Sequence, residues 1–134
     1  MTVLLDTHAV LWWQADSGRL SAVAERAIEG ADVLWISPLT CWEITTLARQ
    51  ERIVLDREPA VWIGRLLREP RVSVAALSPE AAVRAGLLDR QAFPGDPIDR
   101  LIYGTALDLR VPLVSKDERL RAFANQAGDV DVIW

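Results

Sequence analysis

Short apolar runs alternate with longer amphipathic segments along the whole chain, and this alternation predicts strands and helices in turn. Strands are predicted where a few mostly apolar residues stand between turn signals, at residues 3–5, 33–36, 72–76, 111–114 and 130–134. Helices are predicted in the intervening segments, at residues 7–14, 21–29, 38–50, 59 to just before Pro70, 79–88, 97–108 and from about 117 onward. Strands that alternate with helices indicate βαβ units. We therefore expect an α/β fold, a single three-layer domain over residues 1–134 with a mainly parallel central sheet flanked by helices.

The helix starts carry clear capping signals. Ser37-Pro38, Ser78-Pro79 and Asp96-Pro97 each place a short polar side chain at the N-cap and a proline at the first helical position. The segment 93–95, Phe-Pro-Gly, is the clearest loop signal in the chain. These signals fix where several helices begin more firmly than where they end.

Composition narrows the class of protein without naming a function. The 134 residues carry a net charge of −4, which disfavours a broadly basic surface for nucleic acid but leaves a metal-assisted nuclease open. No apolar run approaches the roughly 18 residues that a membrane helix needs, and the first residues lack the basic start of a signal peptide. A single cysteine, Cys41, excludes a disulfide within the chain. We expect a soluble cytoplasmic protein with no membrane partner.

Four acidic residues stand at the edges of apolar segments that are far apart in sequence. Asp6 follows the first predicted strand, Asp117 lies just beyond the fourth, Asp99 is in the first turn of a helix, and Glu43 lies on the helix entered from the second strand. Ligands bind beyond the carboxyl ends of strands in open parallel sheets, so these carboxylates can converge. Such a cluster would repel itself unless a divalent cation were bound there.

Each acid also has an ordinary structural explanation. Asp6, Asp96 and Asp117 can be N-caps, Asp99 can stabilise the first turn of its helix, and Glu43 can be a solvated helical glutamate. On that reading the chain is a non-catalytic α/β module that binds a protein partner. The apolar neighbours of Glu43 weigh against it, because a lone buried carboxylate is costly.

Oxygen ligands suit Mg²⁺ or Mn²⁺, and such an ion can polarise a phosphodiester and activate water. The pattern therefore favours metal-dependent phosphodiester hydrolysis, with one or two ions and with RNA or DNA as substrate left open. A receiver-type phosphoacceptor is disfavoured because the predicted strand at 72–76 runs into Leu77-Ser78-Pro79 with no aspartate. A phosphatase with an aspartate nucleophile is disfavoured because His8 stands where its second acid would be.

Four segments together resemble the PIN-domain family, and more narrowly the VapC-type toxin ribonucleases of bacterial toxin–antitoxin pairs. They are residues 4–9 (Leu-Leu-Asp-Thr-His-Ala), 42–44 (Trp-Glu-Ile), 96–102 (Asp-Pro-Ile-Asp-Arg-Leu-Ile) and 113–117 (Leu-Val-Ser-Lys-Asp), in family order across essentially the whole chain. Any one of these segments alone is a weak signal, whereas the 96–102 segment combined with the other three is specific.

The resemblance implies an endoribonuclease dependent on Mg²⁺ or Mn²⁺, a small antitoxin as protein partner and a homodimer. By the same resemblance Asp6, Glu43 and Asp99 are the core metal-binding acids and Asp117 is a fourth, more variable one. It further implies accessory positions, with hydroxyl groups at Thr7 and Ser115, an additional acid at Asp96, and an arginine, Arg100, that pairs with Asp96 or contacts substrate phosphate.

Three other residue types invite interpretation. His8 is the only histidine, and a structural role is favoured over a role as general base or RNA contact. Cys41 is expected to be a small core residue. Six tryptophans are many for this length, and we expect them to be divided between the core and a groove for a partner.

Overall fold

The sheet is entirely parallel in the part of the chain that the structure, a computed structural model, describes: residues 1–89 and 91–134. The strands are β1 (Thr2–Leu5), β2 (Val33–Ile36), β3 (Val72–Val74), β4 (Leu113–Val114) and β5 (Val132–Ile133). The helices are α1 (Thr7–Ala15), α2 (Ala22–Gly30), α3 (Pro38–Arg49), α4 (Pro59–Leu66), α5 (Pro79–Leu87), α6 (Pro97–Leu109) and α7 (Glu118–Ala127). Every predicted strand and helix is present.

Three of the predicted strands are shorter in the structure than in the sequence pattern. β3 ends at Val74 rather than at residue 76, and β5 contains only Val132 and Ile133. Both are edge strands with a partner on one side only, so fewer of their residues are held in the ladder. β4 begins after Pro112, which has no N–H to donate, although the Pro112 carbonyl still accepts from the Leu4 N–H at 2.9 Å.

Alternating side chains of the sheet bury two separate apolar clusters, one on each face. Val3 and Leu5 of β1 pack in the first cluster with residues of α1 to α4, and Leu4 packs in the second with residues of α6 and α7. β4 divides in the same way, with Val114 in the first cluster and Leu113 in the second. This arrangement confirms the predicted three-layer α/β domain with helices on both faces of the sheet.

The strand order β3-β2-β1-β4-β5 places a topological switch point between β1 and β4. The chain moves from β1 outward to β2 and β3, and then returns to the other side of β1 to form β4. Leu5 pairs with Ile36 on one side and with Val114 on the other, so these three strands end at the same level. A crevice at such a point is where open α/β sheets bind ligands.

In the described residues, no helix combines the length and the hydropathy that crossing a membrane would require.

Candidate functional site

The crevice beyond β1 and β4 is an acidic cavity of about 370 Å³, hereafter the acid pocket. Five carboxylate side chains line it: Asp6, Glu43, Asp96, Asp99 and Asp117. They come from the end of β1, from the first half of α3, from the start of α6 and from the start of α7. The fold thus brings together, from four elements, all of the acids singled out in the sequence.

Most of these acids are also helix caps. Asp6 is the N-cap of α1, where its Oδ1 accepts from the Ala9 N–H at 3.1 Å, and Asp117 is the N-cap of α7. Asp96 and Asp99 form a reciprocal capping box at the start of α6: Asp96 Oδ1 accepts from the Asp99 N–H at 2.9 Å, and Asp99 Oδ2 accepts from the Asp96 N–H at 3.1 Å. Capping and pocket lining therefore coexist in the same residues, because the helices begin at the rim of the sheet.

A buried serine joins two of the acids. Ser115 follows β4, its side chain is completely buried, and its Oγ donates to Asp6 Oδ2 at 2.5 Å. The same Oγ accepts from the Asp117 N–H at 3.2 Å. Ser115 therefore orients the Asp6 carboxylate and the first turn of α7 together.

Thr7, the other predicted hydroxyl, lines the pocket and is 3% exposed. Its Oγ1 donates to Thr40 Oγ1 of α3 at 3.3 Å. This contact ties the start of α1 to the helix that carries Glu43, so its observed contact is with the protein scaffold.

Burial and mutual repulsion disfavour the charged forms of two acids. Burial raises the pKa of Asp6, against the opposing effects of the Ser115 hydroxyl, the Ala9 N–H and nearby His8. Burial, together with the negative charge of Asp96 and a smaller effect of Glu43, raises the pKa of Asp99 to about 7. A bound cation would counter both effects, since it favours the ionised carboxylates.

The donor set suits a hard divalent cation that keeps part of its water shell. Carboxylate oxygens are the ligands that Mg²⁺ and Mn²⁺ prefer, and Cys41 does not line the pocket. Among residues 1–89 and 91–134 no three His, Cys, Asp or Glu side chains are arranged closely enough to hold an ion together. Mg²⁺ commonly takes only one or two protein carboxylates and completes its shell with water and substrate phosphate, so the pocket fits such an ion.

Two cationic residues at the pocket were missed by the sequence argument. Lys116 and Arg119 both line the acid pocket, and Arg119 Nε lies 3.9 Å from Asp117 Oδ1. A signal was available for Lys116: it is the only lysine of the chain and directly precedes Asp117. The exposed Arg119 was indistinguishable from the many other arginines.

Arg100 contacts backbone carbonyl groups and an aromatic ring. Its Nη1 donates to the Leu88 carbonyl at 3.0 Å, its Nη2 donates to the Asp89 carbonyl at 3.3 Å, and its guanidinium lies 5.1 Å from the centre of the Phe93 ring. In the described residues no ion pair joins it to Asp96. Arg100 therefore fastens the connection between α5 and α6, and a contact of its guanidinium with substrate phosphate stays a prediction.

The remaining singled-out residues are divided between surface and core. His8 is exposed at the edge of the acid pocket, with its ring edge-on to Trp12 at 5.7 Å between centroids, and the structural role favoured for it stays a prediction. Cys41 is half-buried against the first apolar cluster, as expected of a small core residue, and burial raises its pKa. Trp42 is 59% exposed, whereas the other five tryptophans are partly buried.

Known proteins that are similar to this chain in sequence or in fold point to one family. The model of the PIN domain matches residues 3–126. The chain is 44% identical over 121 residues to Ribonuclease VapC22 of Mycobacterium tuberculosis, covering 90% of this chain and 91% of that protein. Its fold resembles VapBC-1 of nontypeable Haemophilus influenzae, with a TM-score of 0.70, 21% identity, and 98% and 96% of the two chains covered. It also resembles a toxin–antitoxin complex from Klebsiella pneumoniae, with a TM-score of 0.63, 21% identity and 90% of each chain covered. The chain belongs to the PIN-domain family.

Proposed function

We propose that this protein is a metal-dependent endoribonuclease that acts in the cytoplasm as the toxin of a bacterial toxin–antitoxin pair. The proposed nuclease domain spans residues 1–134. The observation that carries the proposal is the acid pocket: Asp6, Glu43, Asp99 and Asp117 meet at the switch point of the sheet. The 44% identity to a protein named as a ribonuclease supports RNA as the substrate.

The protein ligands of Mg²⁺ or Mn²⁺ would be drawn from Asp6, Glu43, Asp99 and Asp117, with one or two carboxylates on an ion and water completing its shell. PIN-domain ribonucleases are generally metal-dependent. A bound divalent ion supplies charge neutralisation at the phosphodiester and lowers the pKa of water for attack on phosphorus. The chain's own residues prepare the site. Ser115 holds the Asp6 carboxylate in one orientation, and the capping box holds Asp99 at the start of α6.

The basic residues at the pocket would orient the substrate. Lys116 and Arg119 stand at the edge of the acid pocket, where their positive charges can contact phosphate oxygens of a bound strand. Because no nucleophilic side chain is required for hydrolysis, the residues needed are those that bind the ion, those that hold its ligands and those that position the phosphate.

Exposed apolar side chains support protein partners for the proposed toxin. Val54 is 95% exposed and Trp42 is 59% exposed, so both present apolar surface that a partner could cover. On α5, Val83 and Leu87 are 61% and 80% exposed and lie one helical turn apart. We propose an antitoxin chain and a second copy of this chain as the partners that cover such surfaces.

The test of the proposed activity is cleavage of a mixed pool of structured RNA by purified protein with Mg²⁺, with Mn²⁺ or with chelator. Asp6→Asn is the informative variant, because asparagine keeps the N-cap of α1 while removing the charge. Asp131→Asn, at an exposed position outside the pocket, is the matched control. Metal-dependent cleavage that Asp131→Asn keeps and Asp6→Asn loses is the expected result.

Two other outcomes would redirect the proposal. Cleavage of DNA of the same base sequence in preference to RNA would assign the pocket to a DNA-directed nuclease. Absence of cleavage, together with no change of thermal stability on adding metal, would favour the non-catalytic module in which these acids serve only as caps.

A further inference from the structure

A second and larger cavity, of about 770 Å³, adjoins the acid pocket and is hereafter the basic groove. Its walls come from α1 and the segment that follows it, from residues 52–56 between α3 and α4, and from α4. His8 and Lys116 line both cavities, so the basic groove lies directly beside the acid pocket. A linear ligand that reaches the acids can therefore extend along the groove.

The groove is positively charged although the whole chain has a net charge of −4. Arg19, Arg52 and Lys116 line it, and all three side chains are exposed. The single acid of its lining, Asp56, is already paired with Arg57, whose Nη2 lies 3.0 Å from Asp56 Oδ2. The charge of this surface is thus complementary to a polyanion.

An aromatic ring lies among these cations. The guanidinium of Arg19 is 5.8 Å from the centre of the Trp12 ring, and the Lys116 ammonium is 4.8 Å from it. Trp62 of α4 is a second tryptophan in the lining. Cations that alternate with aromatic faces are characteristic of grooves for single-stranded nucleic acid, in which bases stack and phosphates are neutralised.

We propose that the basic groove binds the single-stranded RNA segment on one side of the scissile phosphate. In this arrangement Arg19, Arg52 and Lys116 contact successive phosphates, and a base stacks against Trp12. That the bound RNA continues from the groove to the acids of the pocket rests on the proposed function. An amphipathic protein helix is the competing occupant, and the net positive lining and the cations over Trp12 favour the polyanion.

The test measures RNA binding without catalysis. Fluorescence anisotropy with a labelled, mixed-sequence single-stranded RNA of about 12 nucleotides is recorded in chelator, over a range of salt concentrations. The double variant Arg19→Gln/Arg52→Gln should bind roughly tenfold more weakly at low salt. The slope of the logarithm of the binding constant against the logarithm of the salt concentration is negative, and it should become less steep by about 0.7 for each lost phosphate contact.

The matched control removes the same charge elsewhere. Arg26 of α2 and Arg84 of α5 are exposed and line neither cavity, so Arg26→Gln/Arg84→Gln should change the affinity by less than about twofold. Equal weakening by both double variants would overturn the proposal, because binding would then follow net charge alone.

A second variant tests the aromatic contact. Trp12→Leu should weaken binding by about tenfold, whereas Trp12→Phe should retain most of the affinity, since any aromatic face supports stacking. Trp12 also lies against Trp134, at 5.7 Å between ring centroids, so the thermal stability of each variant is measured alongside. Equal affinities of folded Trp12→Leu and wild type would contradict the proposed stacking.

The outcomes separate this proposal from the proposed function. RNA binding that depends on the groove, without any metal-dependent cleavage, would leave the groove assigned and remove the nuclease. Metal-dependent cleavage, together with unchanged RNA affinity in Arg19→Gln/Arg52→Gln, would keep the nuclease and overturn the RNA assignment of the groove. If that variant bound RNA normally but lost a co-expressed antitoxin, the groove would be a protein-docking surface and the RNA proposal would be wrong.

Discussion

The acid pocket and the basic groove share two residues, His8 and Lys116, yet they are built in opposite ways. The acids of the pocket stand mostly at helix starts, where backbone N–H groups hold them. The cations of the groove are exposed side chains, on the segments that follow α1 and α3 and just before α7, and Arg19 and Lys116 lie over the Trp12 ring. Position in the pocket is therefore imposed by the fold, whereas the groove can adapt to its ligand.

The two cavities also differ in what they can bind unaided. Burial raises the pKa of Asp6, and burial together with the charge of Asp96 raises the pKa of Asp99, so ionising these two acids is costly without a cation beside them. The groove attracts an anion directly. The proposed RNA groove thus places cations next to the acids in a protein whose net charge is −4.

The largest difference between the two cavities is expected from Asp99→Asn, which should affect cleavage without weakening RNA binding. Removing the charge should lower the rate of RNA cleavage by roughly 10²-fold or more, because a preorganised charge in an active site is worth that much. RNA affinity in chelator should stay the same or rise, since repulsion of the strand falls. Cleavage rate and anisotropy are measured on the same preparations, with Asp131→Asn as control. Cleavage at the wild-type rate would show that Asp99 is only a cap.

A smaller loss is expected from Gly95→Ala, which acts on the pocket through geometry. A Cβ atom at position 95 would lie 2.5 Å from Asp99 Cβ and 2.9 Å from Asp99 Oδ2, so the Asp99 side chain must shift. Displacement of a ligand by a fraction of an ångström should reduce cleavage about tenfold or more. RNA affinity in chelator should be unaffected.

Gly86→Ala is the matched control for this change, because a Cβ there meets open space on α5. If Gly95→Ala cleaved as fast as wild type, the position of Asp99 would not limit the reaction. If Gly95→Ala also weakened RNA binding, the pocket and the groove would not be separable.

The metal response should be confined to the acid pocket. Saturating Mg²⁺ or Mn²⁺ should raise the melting temperature of the wild type by roughly 5 °C, as expected for an ion that binds only the folded protein. Asp6→Asn should show little of this shift, whereas Arg19→Gln/Arg52→Gln should show all of it. Differential scanning fluorimetry with and without chelator makes the measurement. An undiminished shift in Asp6→Asn would place the ion elsewhere.

The smallest expected effect is a pH dependence of stability in the metal-free protein. The pKa of Asp99 is raised in the folded state to about 7 from an ordinary 3.8, so folding favours its protonated form. The resulting stabilisation is fully present below about pH 4 and is lost as the pH rises through about 7. The loss between about pH 5 and 7 should be on the order of 1 kcal/mol, allowing for solvent screening.

Denaturant unfolding of wild type and Asp99→Asn in chelator, at several pH values, isolates this contribution as the difference between the two proteins. Mg²⁺ should reverse the trend, because ionised carboxylates bind the metal better as the pH rises. A difference between the two proteins that did not change with pH would contradict the raised pKa.

Local sequence signals predicted most of the fold correctly because they act over a few residues. Ser37, Ser78 and Asp96 cap the helices that their patterns predicted, and their side chains accept hydrogen bonds from N–H groups within the first turn. The ends of β3 and β5 were less predictable, since a strand's length depends on which neighbour pairs with it.

The features of the site that the sequence did not reveal have a common cause. Arg100 follows Asp99 directly and Arg119 is one of many arginines, and nothing local distinguishes the one that fastens a loop from the one that lines a pocket. The packing of α1 leaves the His8 ring exposed where the two cavities meet, which the sequence could not show. The way the helices pack decides where a side chain points and how exposed it is, so neither can be deduced from neighbouring residues in the sequence.

The alternation of strands and helices, the positions where the helices begin and the acids at those positions could all be deduced from the amino-acid sequence. Apolar periodicity and capping residues act locally, so they can be recognised before the chain is folded. That the acids meet in one pocket, and that Arg19 and Lys116 lie over the Trp12 ring in a groove that Arg52 also lines, depends on the folded structure. The physical reason is that strand order sets which ends are neighbours: with β1 between β2 and β4, residues more than a hundred positions apart, such as Asp6 and Ser115, come within hydrogen-bonding distance.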